Sequence, residues 1–144
     1  GLLQEAEGAG RFFLEQKLHG PIFNNYDIGG YLIFHLYPHE KVFVDNRPEA
    51  YPASFFTQTY IPMQEDDALW RRETERWRFN VIFFSHRDHT PWAQRFLLAR
   101  LADPRWAPVY ADEIAIIFLL RSEANAALIE QFEIPRERFT ITDM

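Results

Sequence analysis

Eight polar residues in three clusters are where this chain of 144 residues could do chemistry: Asn24 and Asp27; Asp45, Asn46, Arg47 and Tyr51; His86 and His89. The first cluster lies in Asn24-Asn25-Tyr26-Asp27-Ile28-Gly29-Gly30-Tyr31, between a predicted strand and a predicted helix. In doubly wound sheets that junction binds phosphate on free N–H groups of the helix start. Here the spacing is not G-x-G-x-x-G, no G-K-[ST] follows, and Asp27 would repel a phosphate. The paired glycines then serve close approach of helix to sheet. In the second cluster, Arg47 can grip a carboxylate or phosphate with both arms of its guanidinium, or tie to Asp27, Asp45 or a strand-end carbonyl. The third cluster, His86-Arg87-Asp88-His89, has ligand types suited to a metal, and His35 and His39 add two imidazoles. Pro38 interrupts that last pair, and no H-E-x-x-H occurs. No metal and no other cofactor is expected. Ser85 beside His86 lacks a third triad member and a G-x-S-x-G setting. Glu65-Asp66-Asp67 reads as a solvated helix start. Trp70 and Trp77, seven apart on a helix, suit either a core or a sugar-stacking face. No catalytic residue is assigned.

The elements that must position these groups follow from apolar periodicity. Helices are predicted over 2–18, 28–37 with Asp27 as N-cap, 53–62, 68–78 capped by Asp66 or Asp67, 91–101 after Thr90, and 122–132 with Ser122 as N-cap. Strands are predicted over 21–24, 41–45, 81–84, 106–110 and 113–121, with a further short one at 139–142. Two residues, Ala111 and Asp112, separate the fourth and fifth strands, which therefore form an antiparallel hairpin. Strands alternating with helices argue for α/β: a three-layer αβα sandwich, a mostly parallel sheet of about five strands, and the hairpin as its antiparallel edge. One domain accounts for residues 1–144.

Composition narrows the function classes. The net charge is −6 and the only basic cluster, Arg71, Arg72, Arg76 and Arg78, is interrupted by Glu73 and Glu75, so nucleic acid is not an expected partner. Zero cysteine excludes disulfides, thiolate zinc sites and cysteine nucleophiles. The longest strongly apolar run, residues 114–120, is far short of the roughly 20 residues a membrane helix needs. Yet 14 Phe, 6 Tyr and 4 Trp make the chain unusually aromatic. The chain opens on Gly1 and shows no signal-peptide pattern, which reads as an excised piece of a longer protein.

Three ordered strings carry a resemblance: Gly20-Pro21-Ile22-Phe23-Asn24-Asn25-Tyr26-Asp27-Ile28-Gly29-Gly30-Tyr31-Leu32-Ile33 with Tyr37-Pro38; Lys41-Val42-Phe43-Val44-Asp45-Asn46-Arg47 with Glu49-Ala50-Tyr51; and Asp103-Pro104-Arg105-Trp106 with Val109-Tyr110 and Asp112-Glu113. Over about residues 13–121 the chain resembles the soluble C-terminal region of bacterial polytopic membrane proteins of the glycosyltransferase-C type. These are relatives of protein mannosyltransferases and of the oligosaccharyltransferase. Where such proteins usually read Asp-Gly-Arg, this chain has Asp45-Asn46-Arg47. The resemblance implies a parent that uses a lipid-linked sugar donor, with its catalytic acidic residues in loops between membrane helices. It implies an extracytoplasmic, noncatalytic accessory domain, tethered to the membrane through the parent. Its partners would be the membrane part of the same chain and a carbohydrate or polypeptide acceptor.

Two other classes compete. A stand-alone α/β ligand-binding module or enzyme would gather Asp27, Asp45, Arg47, His86 and His89 in one pocket. An interaction module would act through Trp70, Trp77 and the neighbouring arginines.

Overall fold

The computed structural model describes residues 7–36, 40–44 and 51–139. Four strands form one mixed sheet in the order β1-β2-β4-β3: β1 (Ile22–Asn24), β2 (Val81–Ser85), β3 (Trp106–Ala111) and β4 (Ala115–Leu120). β1 runs parallel to β2, with Ile22 opposite Val81 and Asn24 opposite Phe83. β2 and β3 both run antiparallel to β4. The sheet is therefore mixed where a mostly parallel one of about five strands is expected, because only one of its three pairings is parallel. The hairpin itself forms as predicted. Asp112 closes it: its Oδ1 accepts from the amides of Ile114 and Ala115, both at 2.8 Å.

The helices are α1 (Glu7–Glu15), α2 (Tyr26–Leu36), α3 (Ala53–Phe55), α4 (Ile61–Glu65), α5 (Asp67–Trp77), α6 (Pro91–Leu101) and α7 (Ala126–Phe132). A π-helical stretch, Phe56–Tyr60, joins α3 to α4. Two starts are as the sequence predicts. The Asp66 carboxylate accepts from the amides of Ala68 and Leu69, and the Thr90 hydroxyl accepts from Ala93. Two are displaced. α2 begins at Tyr26, so Asp27 lies in its first turn rather than at its cap, and α7 begins only at Ala126 after a turn over 122–125.

Period-two alternation divides the core into two halves. Ile22, Val81, Phe83, Ala107, Val109, Ala115, Ile117 and Leu119 face a cluster completed by α1, α2 and α7. Phe23, Ile82, Phe84, Trp106, Ile116 and Phe118 face a cluster completed by Tyr60, Met63, Trp70 and residues of α6. α1 packs closely on α2 at Gly10, whose amide donates to the Tyr31 hydroxyl at 2.9 Å. A side chain at Gly10 would strike that hydroxyl.

The predicted strand at 41–45 does not form among the described residues. Glu40 lies beside Gly20, and Phe43 and Val44 reach Asn24. The segment thus follows β1 in the same direction. Side-chain bonds from Asn24 hold it where a backbone ladder would.

Among the charged groups the core encloses, Arg100 of α6 is entirely buried. It bonds Asp67 at 2.6 Å, lies 3.3 Å from Asp103, and is placed over the rings of Trp70 and Phe96. Asp103 also takes both arms of Arg105, at 2.9 and 2.7 Å. Burial would raise the Asp103 carboxyl, but the Arg105 bonds and the charges of Arg100 and Arg105 hold it below its ordinary value.

Candidate functional site

The carboxyl ends of β1 and β2 carry the first group of candidates. β1 has only three residues, so the chain leaves the sheet early and its next backbone partners must be found elsewhere. Asn24 and Asn25 supply them from side chains that are both 0% exposed. Asn24 Oδ1 accepts from Phe43 N at 2.7 Å and Val44 N at 3.5 Å, while Nδ2 donates to the Val44 carbonyl at 2.6 Å and the Asn25 carbonyl at 2.9 Å. Asn25 Oδ1 accepts from Ser85 N at 3.0 Å, and Nδ2 donates to the Ser85 carbonyl at 2.8 Å and to Asp88 Oδ2 at 3.3 Å. A primary amide offers the same donor and acceptor as a peptide unit. Each asparagine therefore acts as a one-residue strand, clamping a neighbour on opposite sides of β1.

Asp88 extends this network. Its Oδ1 accepts from the Thr90 amide at 3.0 Å and hydroxyl at 2.7 Å, and its carbonyl accepts from Gln94 at 2.7 Å. Asp27 is nearby and exposed. Its carboxyl is held above its ordinary value by partial burial and by the charge of Asp88, with His89 opposing. The Tyr60 hydroxyl accepts from the Tyr26 amide at 2.9 Å, and burial pushes its ionisation up. Two neighbouring carboxyls with one proton held more tightly can act as an acid–base pair. Here one of the two is already committed to the start of α6.

The remaining candidates are dispersed. Asp45, Asn46 and Arg47 lie outside the described residues, as does the expected pairing of Arg47 with Asp27 or Asp45. His86 turns to the hairpin, where Nε2 lies 2.6 Å from the Asp112 carbonyl; a carbonyl only accepts, so Nε2 carries the proton. Tyr51 stacks on Phe55 at 5.4 Å between ring centroids, and Phe55 belongs to a groove at the opposite end of β1. The structure thus brings Asn24, Asp27 and His89 to one end of the sheet and places His86 and Tyr51 elsewhere. Asn25 and Asp112 were missed as network members, whereas Asp88 reads from the sequence as a cap of the following helix, and its carboxylate does hold Thr90 at the start of that helix. The signal for Asp88 was present in Asp88-x-Thr90, a local side-chain-to-backbone turn before a helix. Among the described residues no three of His, Asp and Glu converge to hold a metal.

At the amino end of β1 lies that groove, of about 730 Å³, lined by Phe43, Tyr51, Phe55, Trp77 and Phe79, with Glu40 and Lys41 at its edge. Its rings form a connected set around Phe43, which lies 5.7 Å from Phe55, 5.7 Å from Trp77 and 5.2 Å from Phe79. Trp70 and Trp77 differ in exposure: Trp70 is 1% exposed in the core and Trp77 is 43% exposed at the groove. The Trp77 indole is held in place by a 3.0 Å bond to Glu73 and by the Arg76 guanidinium over its ring. An aromatic slot with a few polar groups at its edge suits the C–H face of a sugar ring or an apolar side chain. No helix among the described residues is long and apolar enough to cross a membrane.

The chain matches no protein-family model, no curated protein and no solved structure.

Proposed function

We propose that this chain is a noncatalytic accessory domain that holds a carbohydrate or polypeptide acceptor in the aromatic groove. Its setting, in this reading, is the extracytoplasmic side of a bacterial glycosyltransferase-like membrane protein with lipid-linked sugar donors, tethered to the membrane part of the same parent chain. The groove carries the proposal: it is concave, aromatic, of ligand size, and has a half-exposed tryptophan locked in orientation. The strand-end groups support it from the other side, since Asn24, Asn25 and Asp88 spend their polar atoms on the fold. The architecture that fits is a three-layer αβα sandwich, with α1, α2 and α7 on one face and α4 to α6 on the other.

The test is a titration of the chain with neutral manno- and gluco-oligosaccharides and with unstructured peptides, read by tryptophan fluorescence. Binding that Trp77→Ala removes is expected. A response untouched by Trp77→Ala, or none, sinks the acceptor role. The membrane setting is checked separately: the parental reading frame must encode hydrophobic spans beside this segment.

A further inference from the structure

We propose that a second groove, on the other side of Phe79, binds an oxyanion carried on an apolar ring, an aryl carboxylate or aryl phosphate. This groove, also of about 730 Å³, opens between α5 and the start of β3. Phe79, Trp106 and Leu120 are among its apolar lining, and Arg71, Arg78 and Arg105 bring three guanidinium groups to it. Glu75 also lines it, and Asp103 neutralises Arg105, which leaves Arg71 and Arg78 against one carboxylate. In a chain of net charge −6 that local excess of arginine is complementary to an anion. Guanidinium forks match carboxylate and phosphate alike, and the apolar lining selects an anion with a ring attached.

Two details make this more than a charged surface. Arg105 is pre-oriented: Asp103 grips its Nε and Nη2 while its side chain stays 38% exposed. Arg78 sits at φ 58° and ψ 42°, the left-handed position that ends α5, where its amide caps the Thr74 carbonyl at 2.7 Å. Glycine fills that position without strain and caps equally well. Arginine there costs conformational energy, and what it adds is a guanidinium at the groove. Arg71 and Arg78 make no ion pair among the described residues, so both charges are available to a ligand.

The experiment titrates the chain with phenyl phosphate, phenylacetate, benzyl alcohol and inorganic phosphate at low salt, by calorimetry. At least one aryl anion is expected to bind about tenfold or more tighter than both benzyl alcohol and inorganic phosphate, and the ratio of the two aryl anions identifies the oxyanion. Arg78→Gly is expected to weaken that binding about tenfold without lowering the melting temperature. Arg71→Gln weakens it as well, and Trp77→Ala leaves it unchanged. Aryl anions that bind no better than benzyl alcohol overturn the proposal. So does anion binding that survives Arg78→Gly, or that is lost in Trp77→Ala.

Discussion

The two ends of β1 use polar and aromatic residues in opposite ways. At the carboxyl end, asparagines with no exposed surface satisfy backbone groups on both sides, and Asp88 anchors the start of α6. At the amino end, Trp77, Arg71 and Arg78 are exposed at two grooves. Sheets of this general kind bind ligands at the carboxyl ends of parallel strands because helix starts and loops diverge there. Among the described residues one strand pair is parallel, and the space at its carboxyl end is partly taken up by the Asn24 and Asn25 clamps. The comparison teaches that polar side chains at one end of a strand can be spent on the fold while those at the other end stay exposed. What separates them is whether the polar atoms are already paired.

The comparison can be broken by substitutions at each end. Asn24→Ala should have the largest effect. It strands the Phe43 amide and the Val44 carbonyl in a buried setting, at a cost of about 3 kcal/mol. Urea unfolding measures it, and an unchanged midpoint would show that the clamp is dispensable. Asn25→Ala loses the paired bonds to Ser85, for about 2 kcal/mol by the same measurement. Trp77→Ala at the other end should cost only about 1 kcal/mol, because the ring is half exposed, while removing acceptor binding. A larger loss of stability than in Asn25→Ala would reverse the assignment of roles.

Arg78→Gly should move stability in the favourable direction, by roughly 0.5–1 kcal/mol, by relieving the left-handed arginine. The smallest effect is expected at Asp27. Its folded carboxyl is held above the ordinary 3.8, so the folded state takes up a proton more readily than the unfolded one. The stability it contributes is present below the ordinary value and is lost as pH rises from there through the raised one. Asp27→Asn should therefore stabilise the chain at neutral pH, with that gain vanishing below pH 3.8; thermal melts across pH test the sign.

Much of the framework was legible in local pattern. Thr90-Pro91 and Asp66 mark helix starts, because a side-chain oxygen reaches an amide within three residues. The hairpin was legible because Ala111-Asp112 leaves no room for a crossover. The strand predicted at 41–45 was not, for a physical reason. Val42, Phe43 and Val44 have strand propensity, but a ladder needs backbone partners, and Asn24 offers a side chain instead. The α2 start lies two residues before the predicted one, because Asp27 has the cap chemistry while the chain turns helical at Tyr26. In the candidate site, residue types pointed to Asn24 and Asp27, but nothing local shows that His86 turns to the Asp112 carbonyl.

By itself the sequence determined which segments alternate, where several helices start, that the strand at 81–84 is apolar throughout, and that aromatics are unusually many. These are properties of spacing along the chain, set by the periods of helix and strand. Only the tertiary structure decided which polar atoms are paired and which aromatic and basic groups remain at the surface. Pairing depends on distances of about 3 Å between residues as far apart in the chain as Asn25 and Ser85, and no local pattern carries that information.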